Sequence, residues 1–276
     1  MNFESFNFHP SIMAGVRALG YTIPTPIQVQ TIPPIMQGRD IIGLAQTGTG
    51  KTAAFVLPIL ERLRSSPRGR IRTLIISPTR ELAEQTCEVI NAIGGRTGLK
   101  SAAIYGGVSM ELQTRNLRNG VEIIVACPGR LLDHLWKGTL NLSNLEILVI
   151  DEADRMFDMG FLPDIRKILA CIMQKRQTLL FSATMPDDIQ RLARQILNDP
   201  VTVKVDPTLP AKTVSHALYP VQQHLKTELL KRILNSTKTE SVLVFTRTKH
   251  RAERVAQQLL RTGFRVSSLQ GDLSQN

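Results

Sequence analysis

The sequence predicts an α/β protein with a doubly wound parallel sheet, and three observations support this fold class. Short apolar segments alternate with longer amphipathic segments along most of the chain. The apolar segments are rich in Ile, Val and Leu without a polar residue at every second position, as expected for strands buried on both faces. The amphipathic segments repeat apolar residues at helical spacing. Strands that alternate with helices form parallel sheets with helices on both faces.

Seven strands are predicted before a proline-containing segment that begins at residue 206. They are Asp40–Ala45, Ile71–Ser77, Ser101–Tyr105, Val121–Ala126, Leu145–Ile150, Gln177–Phe181 and Val201–Val205. Amphipathic helices are predicted between them, and two show a clear apolar stripe. One stripe consists of Leu82, Ala83, Cys87, Ile90 and Ile93, and the other of Ile189, Leu192, Ala193, Ile196 and Leu197.

The segment at residues 206–215 predicts a domain boundary, because it holds two prolines and few large apolar residues. Beyond it the pattern resumes with a strand at Ser241–Thr246, a helix at Arg251–Thr262 and a strand at Arg265–Gln270. We therefore predict a first domain at residues 1–205, a linker at 206–215 and the N-terminal part of a second domain at 216–276. About sixty residues supply too little core for an independent α/β domain, so we expect the second domain to be truncated.

The composition excludes several classes of protein. The chain has 276 residues, of which 42% are hydrophobic, and this argues against disorder. The longest apolar run, Ala53–Leu60, contains a proline and is far shorter than the roughly 20 residues of a membrane span. Three cysteines without a CxxC pair argue against disulfides and zinc, and Cys87 and Cys171 are predicted to be packing residues. We expect a cytoplasmic protein with no membrane partner.

The charge favours a polyanionic partner. Lys and Arg number 34 and Asp and Glu number 23, which gives a net charge of +11. A positive field of this size attracts nucleic acid more often than any other partner, although charge alone does not distinguish a nucleic-acid-binding protein from other basic proteins.

A phosphate-binding loop is predicted where a strand gives way to a helix, at Ala45–Thr52 (AQTGTGKT). Successive backbone N–H groups, unobstructed at the glycines, can wrap a β-phosphate. Lys51 would neutralise charge on the β- and γ-phosphates, and the Thr52 hydroxyl would bind Mg²⁺. The general pattern starts with glycine, whereas this loop starts with Ala45. The alternative is a Gly- and Thr-rich loop with no ligand.

Acidic residues follow the apolar strand Leu145–Ile150, in the sequence Asp151-Glu152-Ala153-Asp154. The carboxyl end of a neighbouring parallel strand is where a phosphoryl-transfer site holds Mg²⁺. We predict that Asp151 binds Mg²⁺, partly through water, and that Glu152 is the base for the attacking water. The alternative is a solvated acidic turn.

Five short motifs together resemble the ordered motif set of the DEAD-box ATP-dependent RNA helicases. They are AQTGTGKT at residues 45–52, PTRELA at 78–83, CPGR at 127–130, DEAD at 151–154 and SAT at 182–184. The stretch Gly20–Gln28 resembles the Q motif of that family, and Phe3 matches its isolated upstream aromatic. VLVFTRTK at 242–249 and QGDLSQ at 270–275 resemble the first motifs of its second domain. The sequence DEADRMFDMGF at residues 151–161 is similar to the sequences of the RhlE-like bacterial branch.

The resemblance implies a P-loop RecA-like domain followed by a partial second RecA-like domain, with ATP and Mg²⁺ as cofactors. Gln28 would read the adenine edge through two hydrogen bonds. Phe3 would stack on the base, and its alternative role is a staple for the first helix. Ser182 and Thr184 would bind Asp154 and couple nucleotide state to domain closure; the alternative is a short polar turn. The other residues predicted to bind ATP are Gln46, Thr47, Gly48, Thr49, Gly50, Lys51 and Thr52.

The resemblance also implies an RNA track that contacts the RNA backbone without reading its sequence. Arg80 and Arg130 would neutralise phosphates, while glycines and helix N-termini offer backbone N–H groups. The predicted RNA-binding residues are Pro78, Thr79, Arg80, Glu81, Gly106, Gly107, Cys127, Pro128, Gly129, Arg130, Thr246 and Gly271. The family usually has Thr where this chain has Cys127, so we expect a weaker contact there, because S–H is a poor donor.

The function implied by the resemblance is an RNA-stimulated ATPase and RNA helicase that acts as a monomer. The family's later motifs, which supply an arginine finger, are expected beyond Asn276, so we expect this chain to bind nucleotide, hydrolyse it slowly and not unwind RNA unaided. Two alternatives stay open: a P-loop ATPase that acts on DNA or protein, and an inert or regulatory RNA-binding fragment with a vestigial nucleotide site.

Overall fold

All seven predicted strands of the first domain are confirmed, and they form one parallel sheet. The computed structural model describes residues 2–65, 67–205, 215, 217–237 and 240–271. The strands are β1 (Ile41–Leu44), β2 (Thr73–Ile76), β3 (Ser101–Ile104), β4 (Ile123–Ala126), β5 (Ile147–Ile150), β6 (Gln177–Ser182) and β7 (Val201–Lys204).

The strand order is β3-β4-β2-β5-β6-β1-β7, and every neighbouring pair is parallel. Four of the strands, β2, β4, β5 and β6, are buried along their whole length, which explains why they carry no polar alternation. Because all strands run the same way, the loops that follow them gather at one edge of the sheet.

Nine helices that the structure describes cover the two faces of this sheet. One apolar core contains buried residues of α1 (Pro10–Ala18), α2 (Pro26–Met36), α3 (Lys51–Arg64) and α4 (Arg80–Gly94). The second core contains buried residues of α5 (Met110–Arg118), α6 (Pro128–Trp136), α7 (Ala153–Asp158), α8 (Leu162–Ala170) and α9 (Asp187–Ile196). All residues of the two predicted apolar stripes lie in these cores except Leu82, which is half-buried.

Helices α1 and α4 pack closely at Gly15. A Cβ atom at residue 15 would overlap the backbone of Ile93, including its carbonyl oxygen. Ile93 lies in the last turn of α4, and its backbone atoms cannot move aside as the end of a flexible side chain could. Glycine at this position therefore sets the distance between the two helices.

We predict that Gly15→Ala destabilises the first domain. Alanine favours the helix by up to about 1 kcal/mol, but the overlap costs more, and forced overpacking of this kind costs about 1–3 kcal/mol. Urea unfolding followed by circular dichroism should give a lower midpoint for this variant. Gly106→Ala is the matched control, because a Cβ at residue 106 meets nothing within 4 Å. A midpoint at or above that of the parent chain would contradict this account of the α1–α4 contact.

Two predictions about the cysteines have different outcomes. Cys87 is buried in the first core, as predicted. Cys171 is exposed, so its prediction as a packing residue was wrong. Helix α8 ends at Ala170, one residue earlier, and the apolar side chain that enters the second core after it is Ile172.

The chain divides into two units between residues 209 and 210. The second unit contains α10 (Lys226–Ser236) and α11 (Lys249–Leu260), and α11 confirms the predicted helix with an earlier start. The residues 206–214 of the predicted linker lie outside the described part of the chain.

The two strands predicted in the second unit are absent from its described residues. Residues 241–246 and 265–270 have no regular secondary structure. Both segments line one cavity of about 540 Å³ together with α11, and they do not pair with each other. A strand requires a hydrogen-bonded neighbour at about 4.8 Å, and the described residues of this unit supply none.

Among the residues that the structure describes, no helix is both long enough and apolar enough to cross a membrane.

Candidate nucleotide and nucleic-acid site

The strand order separates the predicted nucleotide residues from the predicted RNA residues along one edge of the sheet. The P-loop follows β1 and the Asp151 segment follows β5, with Ser182 at the end of β6 between them. The predicted RNA segments follow β2, β3 and β4, which are consecutive neighbours on the other half. Crevices at the carboxyl ends of parallel strands are the usual ligand sites of such sheets.

The P-loop has the geometry of an anion cradle. Gly48 and Gly50 have φ angles of 83° and 90°, which glycine adopts without strain. Among the described residues, the backbone N–H groups of residues 46–50 have no hydrogen-bond acceptor, and the loop leads directly into the N-terminus of α3. The Lys51 ammonium is buried and donates to the Ala45 carbonyl at 2.8 Å. These features fit a bound phosphate.

Gln28 connects the N-terminal helices to the P-loop. Its Oε1 accepts from the Thr25 backbone N–H at 2.9 Å, and its Nε2 donates to the Gly50 carbonyl at 3.1 Å. A Cβ at residue 50 would lie 2.5 Å from that Nε2, so only glycine permits this approach. A glutamine amide has two donors and two acceptor lone pairs, so one of each remains for a ligand.

Asp151 and Thr52 fit a Mg²⁺ ion. Asp151 is buried, its Oδ1 accepts from the Glu152 backbone N–H at 3.0 Å, and its Oδ2 has no partner among the described residues. The Thr52 hydroxyl is likewise unpaired in the described part of the chain. Mg²⁺ is usually held by one or two such oxygens together with substrate phosphates and water, so a larger ligand cluster is not required.

Burial raises the pKa of Asp151 to about 6, although the nearby Lys51 ammonium opposes the rise. The carboxyl is therefore held at a cost when it is ionised. A cation bound at Oδ2 would offset the cost of ionising this buried carboxyl, as metal ions do for their acidic ligands.

Glu152 lies in a strained backbone conformation, with φ 51° and ψ 51°. Its Oε1 accepts from the Thr47 hydroxyl of the P-loop at 3.1 Å, and its Oε2 lies 3.3 Å from Arg155. Glutamate rarely adopts the left-handed region, and such strain is concentrated at functional sites. The two phosphate-site segments are thus joined directly across β6.

Asp154 is bound to the segment after β6. Its Oδ2 accepts from the Thr184 backbone N–H at 2.8 Å and from the Thr184 hydroxyl at 2.9 Å. Its own backbone N–H donates to the Ser182 hydroxyl at 3.1 Å. Burial opposes ionisation of Asp154, but these hydrogen bonds outweigh it and lower its pKa. The structure therefore brings together the three residues predicted to couple nucleotide state to closure.

The structure corrects the prediction for Phe3. Its ring is 3% exposed and packs against Phe6 and Tyr21, in each case with ring centroids 6.1 Å apart. A buried ring with aromatic neighbours does not present a face to an adenine base. Burial of its apolar surface in the first core decides its position, so Phe3 is a packing residue at the N-terminal turn.

Arg80, at the start of α4, is held by two neighbours. Its guanidinium lies 4.9 Å from the centroid of the Tyr105 ring, and its Nε lies 3.3 Å from Glu84 Oε1. The Tyr105 hydroxyl donates to the same carboxylate oxygen. Burial, followed by this contact with Glu84, raises the pKa of Tyr105, so the phenol stays protonated and continues to donate.

A buried polar network supports Arg130 at the start of α6. Arg130 Nη1 donates to the Val108 carbonyl at 2.9 Å. Gln113 Nε2 donates to the Tyr105 carbonyl at 2.9 Å, and Gln113 Oε1 lies 3.1 Å from His134 Nε2. Burial, followed by the charge of Arg130, lowers the pKa of His134, so the imidazole is neutral at pH 7. The network holds the loops after β3 and β4 together.

The remaining predicted RNA residues differ in their exposure. Gly106, Gly107, Glu81 and Gly129 are exposed, and Thr79 and Cys127 are half-buried. Pro78 and Pro128 are buried, so their rings do not offer the predicted contact. Thr246 and Gly271 belong to the second unit, where both line its cavity of about 540 Å³.

Cys127 occupies the N-cap position of α6 without a side-chain hydrogen bond to the helix. Burial, followed by the charge of Glu81, raises the pKa of its thiol to about 11. The thiol is therefore protonated and unreactive at pH 7.

Three supporting residues, Tyr105, Gln113 and His134, were not predicted from the sequence. Each acts through a contact between segments that are far apart in the chain, and no local pattern signals such contacts. Tyr105 alone has a partial local signal, because it directly precedes the predicted RNA-binding pair Gly106-Gly107.

Comparison with known proteins agrees with this arrangement. The DEAD/DEAH box helicase profile matches residues 25–192, more than half of the chain. The chain is 42% identical over 277 aligned residues to the DEAD-box ATP-dependent RNA helicase CshA of Streptococcus pneumoniae, covering 100% of this chain and 53% of that protein. It is 39% identical to the DEAD-box ATP-dependent RNA helicase RhpA of Helicobacter pylori, covering 99% of this chain and 56% of that protein.

The fold is also similar to a crystal structure of a DEAD box protein from the hyperthermophile Methanococcus jannaschii. That similarity has a TM-score of 0.71 at 37% identity, and it covers 100% of this chain and 74% of the other. The chain spans about half the length of the curated relatives that it matches. From the matched profile, the identity to these relatives and the shared fold, we conclude that the chain belongs to the DEAD/DEAH box helicase family.

Proposed function

We propose that this chain is the ATP- and RNA-binding core of an ATP-dependent RNA helicase. One observation carries the proposal: the two phosphate-site segments follow β1 and β5, and the predicted RNA segments of the first unit follow β2, β3 and β4 of the same sheet. β5 and β2 are the neighbours at which the two groups meet. Because β5 and β2 pair directly, the Asp151 segment and the segment that begins at Pro78 start from neighbouring strands.

In the proposed nucleotide site, the backbone N–H groups of the P-loop and the Lys51 ammonium bind the phosphates of ATP. Thr52 and Asp151 would hold Mg²⁺, which neutralises phosphate charge when it is bound. Gln28 would offer its remaining N–H and lone pair to the adenine edge. Where adenine has an amino group that donates, guanine has a carbonyl oxygen that only accepts. The Thr47 contact places Glu152 beside the phosphate loop, as required of a base for the attacking water.

In the proposed RNA track, Arg80 and Arg130 neutralise phosphates and the exposed Gly106, Gly107 and Gly129 provide backbone N–H groups. The contacts of Arg80 with Tyr105 and Glu84 leave part of its guanidinium exposed. Such groups bind the backbone and carry no base-specific information, so the binding is independent of RNA sequence. Asp154, Ser182 and Thr184 would couple nucleotide state to domain closure.

The finer assignments belong to the same proposal. The sequence DEADRMFDMGF at residues 151–161 supports membership of the RhlE-like branch. A domain boundary at residues 206–215, a monomeric state, a cytoplasmic location and slow hydrolysis by this chain alone stay predictions.

We predict that Arg130→Gln weakens RNA binding by about tenfold, because a charge-assisted phosphate contact contributes about 1.5–3 kcal/mol. The measurement is fluorescence anisotropy of a labelled oligoribonucleotide with Mg²⁺ and a non-hydrolysable ATP analogue. Lys175→Gln removes an exposed charge elsewhere and is the matched control. The same sequence as DNA should bind more weakly. Equal binding of RNA and DNA would support the alternative of an ATPase that acts on DNA, and no binding would contradict the proposed track.

A further inference from the structure

A basic pocket lies between α5 and the end of α6, apart from the predicted nucleotide and RNA residues. Its volume is about 570 Å³, and it is lined by Met110, Glu111, Thr114, Arg115, Arg118, Lys137 and Thr139. Three of the lining side chains are cationic and one is anionic. The hydroxyl groups of Thr114 and Thr139 donate to backbone carbonyls, so the cations are the groups in this lining that can bind a phosphate.

Two of the cations in this pocket are unpaired. Among the residues that the structure describes, the guanidinium groups of Arg115 and Arg118 have no hydrogen-bond or ion-pair partner. They lie three residues apart on one helix, where like charges repel each other. By contrast, Arg72 of the same unit forms a two-bond ion pair with Glu146 at 2.7 and 2.8 Å. An anion between Arg115 and Arg118 would relieve the repulsion.

An exposed aromatic side chain is adjacent in sequence to the pocket residue Lys137. Trp136, the sole tryptophan of the chain, precedes Lys137 and is 68% exposed. The Lys167 ammonium lies 6.0 Å from its ring centroid. An exposed aromatic ring flanked by cations is the arrangement on which proteins stack the bases of single strands, and each stacked base contributes about 1–3 kcal/mol.

Helix α6 connects this surface to the proposed RNA track. The helix begins at Pro128, next to Arg130, and ends at Trp136. Six residues separate Arg130 from Trp136, which corresponds to about 9 Å along the helix axis. At about 3.4 Å per stacked nucleotide, this distance is two to three nucleotides. Helix α6 thus carries Arg130 near its start and Trp136 at its end.

We propose that Arg115, Arg118, Lys137 and Trp136 form an accessory RNA site that binds the strand where it leaves the main track. The three cations would contact phosphates, and Trp136 would stack on a base. This inference rests on the proposed function, because the accessory site extends the proposed track. Both kinds of contact tolerate any base, so the site would lengthen the footprint without adding sequence preference.

The sole tryptophan provides a direct test, because all indole fluorescence of the chain comes from Trp136. Oligouridylates of about six and about twelve nucleotides are titrated into the chain with Mg²⁺ and a non-hydrolysable ATP analogue. Anisotropy reports binding of each RNA. The longer RNA should quench the tryptophan emission, and the shorter RNA, which fills only the main track, should bind without quenching.

A charge variant separates this site from the general positive field. Arg115→Gln combined with Arg118→Gln should weaken binding of the longer RNA by about tenfold, reduce its salt slope by about 1.4 and leave the shorter RNA unaffected. Arg96→Gln combined with Lys204→Gln removes two exposed cations elsewhere and is the matched control.

The outcomes distinguish the two proposals. Failure of both RNAs to bind would overturn the proposed function itself. Binding of both RNAs without tryptophan quenching, or equal loss in the two double variants, would overturn the accessory site alone. Quenching by the shorter RNA would also overturn it, because Trp136 would then belong to the main track.

Discussion

Replacing Lys51 by Ala is expected to reduce the affinity for ADP by at least about 100-fold. The Lys51 ammonium is buried inside the phosphate loop, at the position where a phosphate would lie against the N-terminus of α3. Removing one partner of a buried ion pair costs about 3–5 kcal/mol, and each 1.4 kcal/mol changes an affinity tenfold. The measurement is calorimetric titration of ADP with Mg²⁺ into the parent chain and the variant.

Lys175→Ala is the control for this experiment, since Lys175 is exposed and lies outside the nucleotide site. Circular dichroism of both variants establishes that any loss of binding is local. Unchanged ADP affinity in Lys51→Ala would exclude the loop at residues 45–52 as the phosphate site.

Replacing Asp151 by Asn is expected to stabilise the ligand-free chain while it removes the proposed Mg²⁺ ligand. Burial raises the pKa of Asp151 to about 6, against an ordinary value of 3.8. A raised carboxyl pKa means that the folded state binds protons more tightly than the unfolded state, so the ionised group destabilises the fold as the pH rises above 3.8. At pH 7.5 the cost is on the order of 3 kcal/mol, and Asn does not incur it.

The pH dependence separates this effect from a general effect of the substitution. At pH 5 the folded carboxyl is protonated. The gain in free energy of unfolding that Asp151→Asn gives should therefore fall to about half of its value at pH 7.5. Urea unfolding of the variant and the parent chain at both pH values measures this gain. Asp187→Asn, at the exposed start of α9, is the control. If the variant is no more stable than the parent at pH 7.5, the ionised Asp151 carboxylate does not destabilise the folded chain, and this account is contradicted.

The gain in stability and the loss of function have the same origin. A carboxylate whose burial is only partly offset by a nearby ammonium is costly to the free protein and useful to a bound cation. The left-handed backbone of Glu152, directly after it, is a second local cost at the same site.

Much of the first domain could be predicted from the sequence because its signals are local. Buried parallel strands carry continuous apolar runs, and all seven were found within a few residues of their observed ends. The P-loop and the Asp151 segment were identified because each follows such a strand. The order of the strands could not be predicted, since it depends on pairings between distant segments such as β1 with β6.

The errors have physical causes that a local pattern does not contain. Phe3 is buried because Phe6 and Tyr21 pack around it, and an isolated aromatic gives no sign of its neighbours. The predicted strand at Ser241–Thr246 has the composition of a strand, but the described residues around it provide no neighbouring strand with which it could form hydrogen bonds. The network of Gln113 and His134 joins two loops through buried polar contacts, and each partner alone resembles an ordinary helical residue.

The most direct test of the central claim is calorimetric titration of ADP and of GDP, each with Mg²⁺, into this chain. The claim is that the P-loop and Gln28 together form a site for adenine nucleotides, and it predicts ADP binding in the micromolar range with no detectable GDP binding. Equal binding of the two nucleotides would remove the role of Gln28 and leave a phosphate loop without base selection. Binding of neither would contradict the nucleotide site and favour an inert fragment.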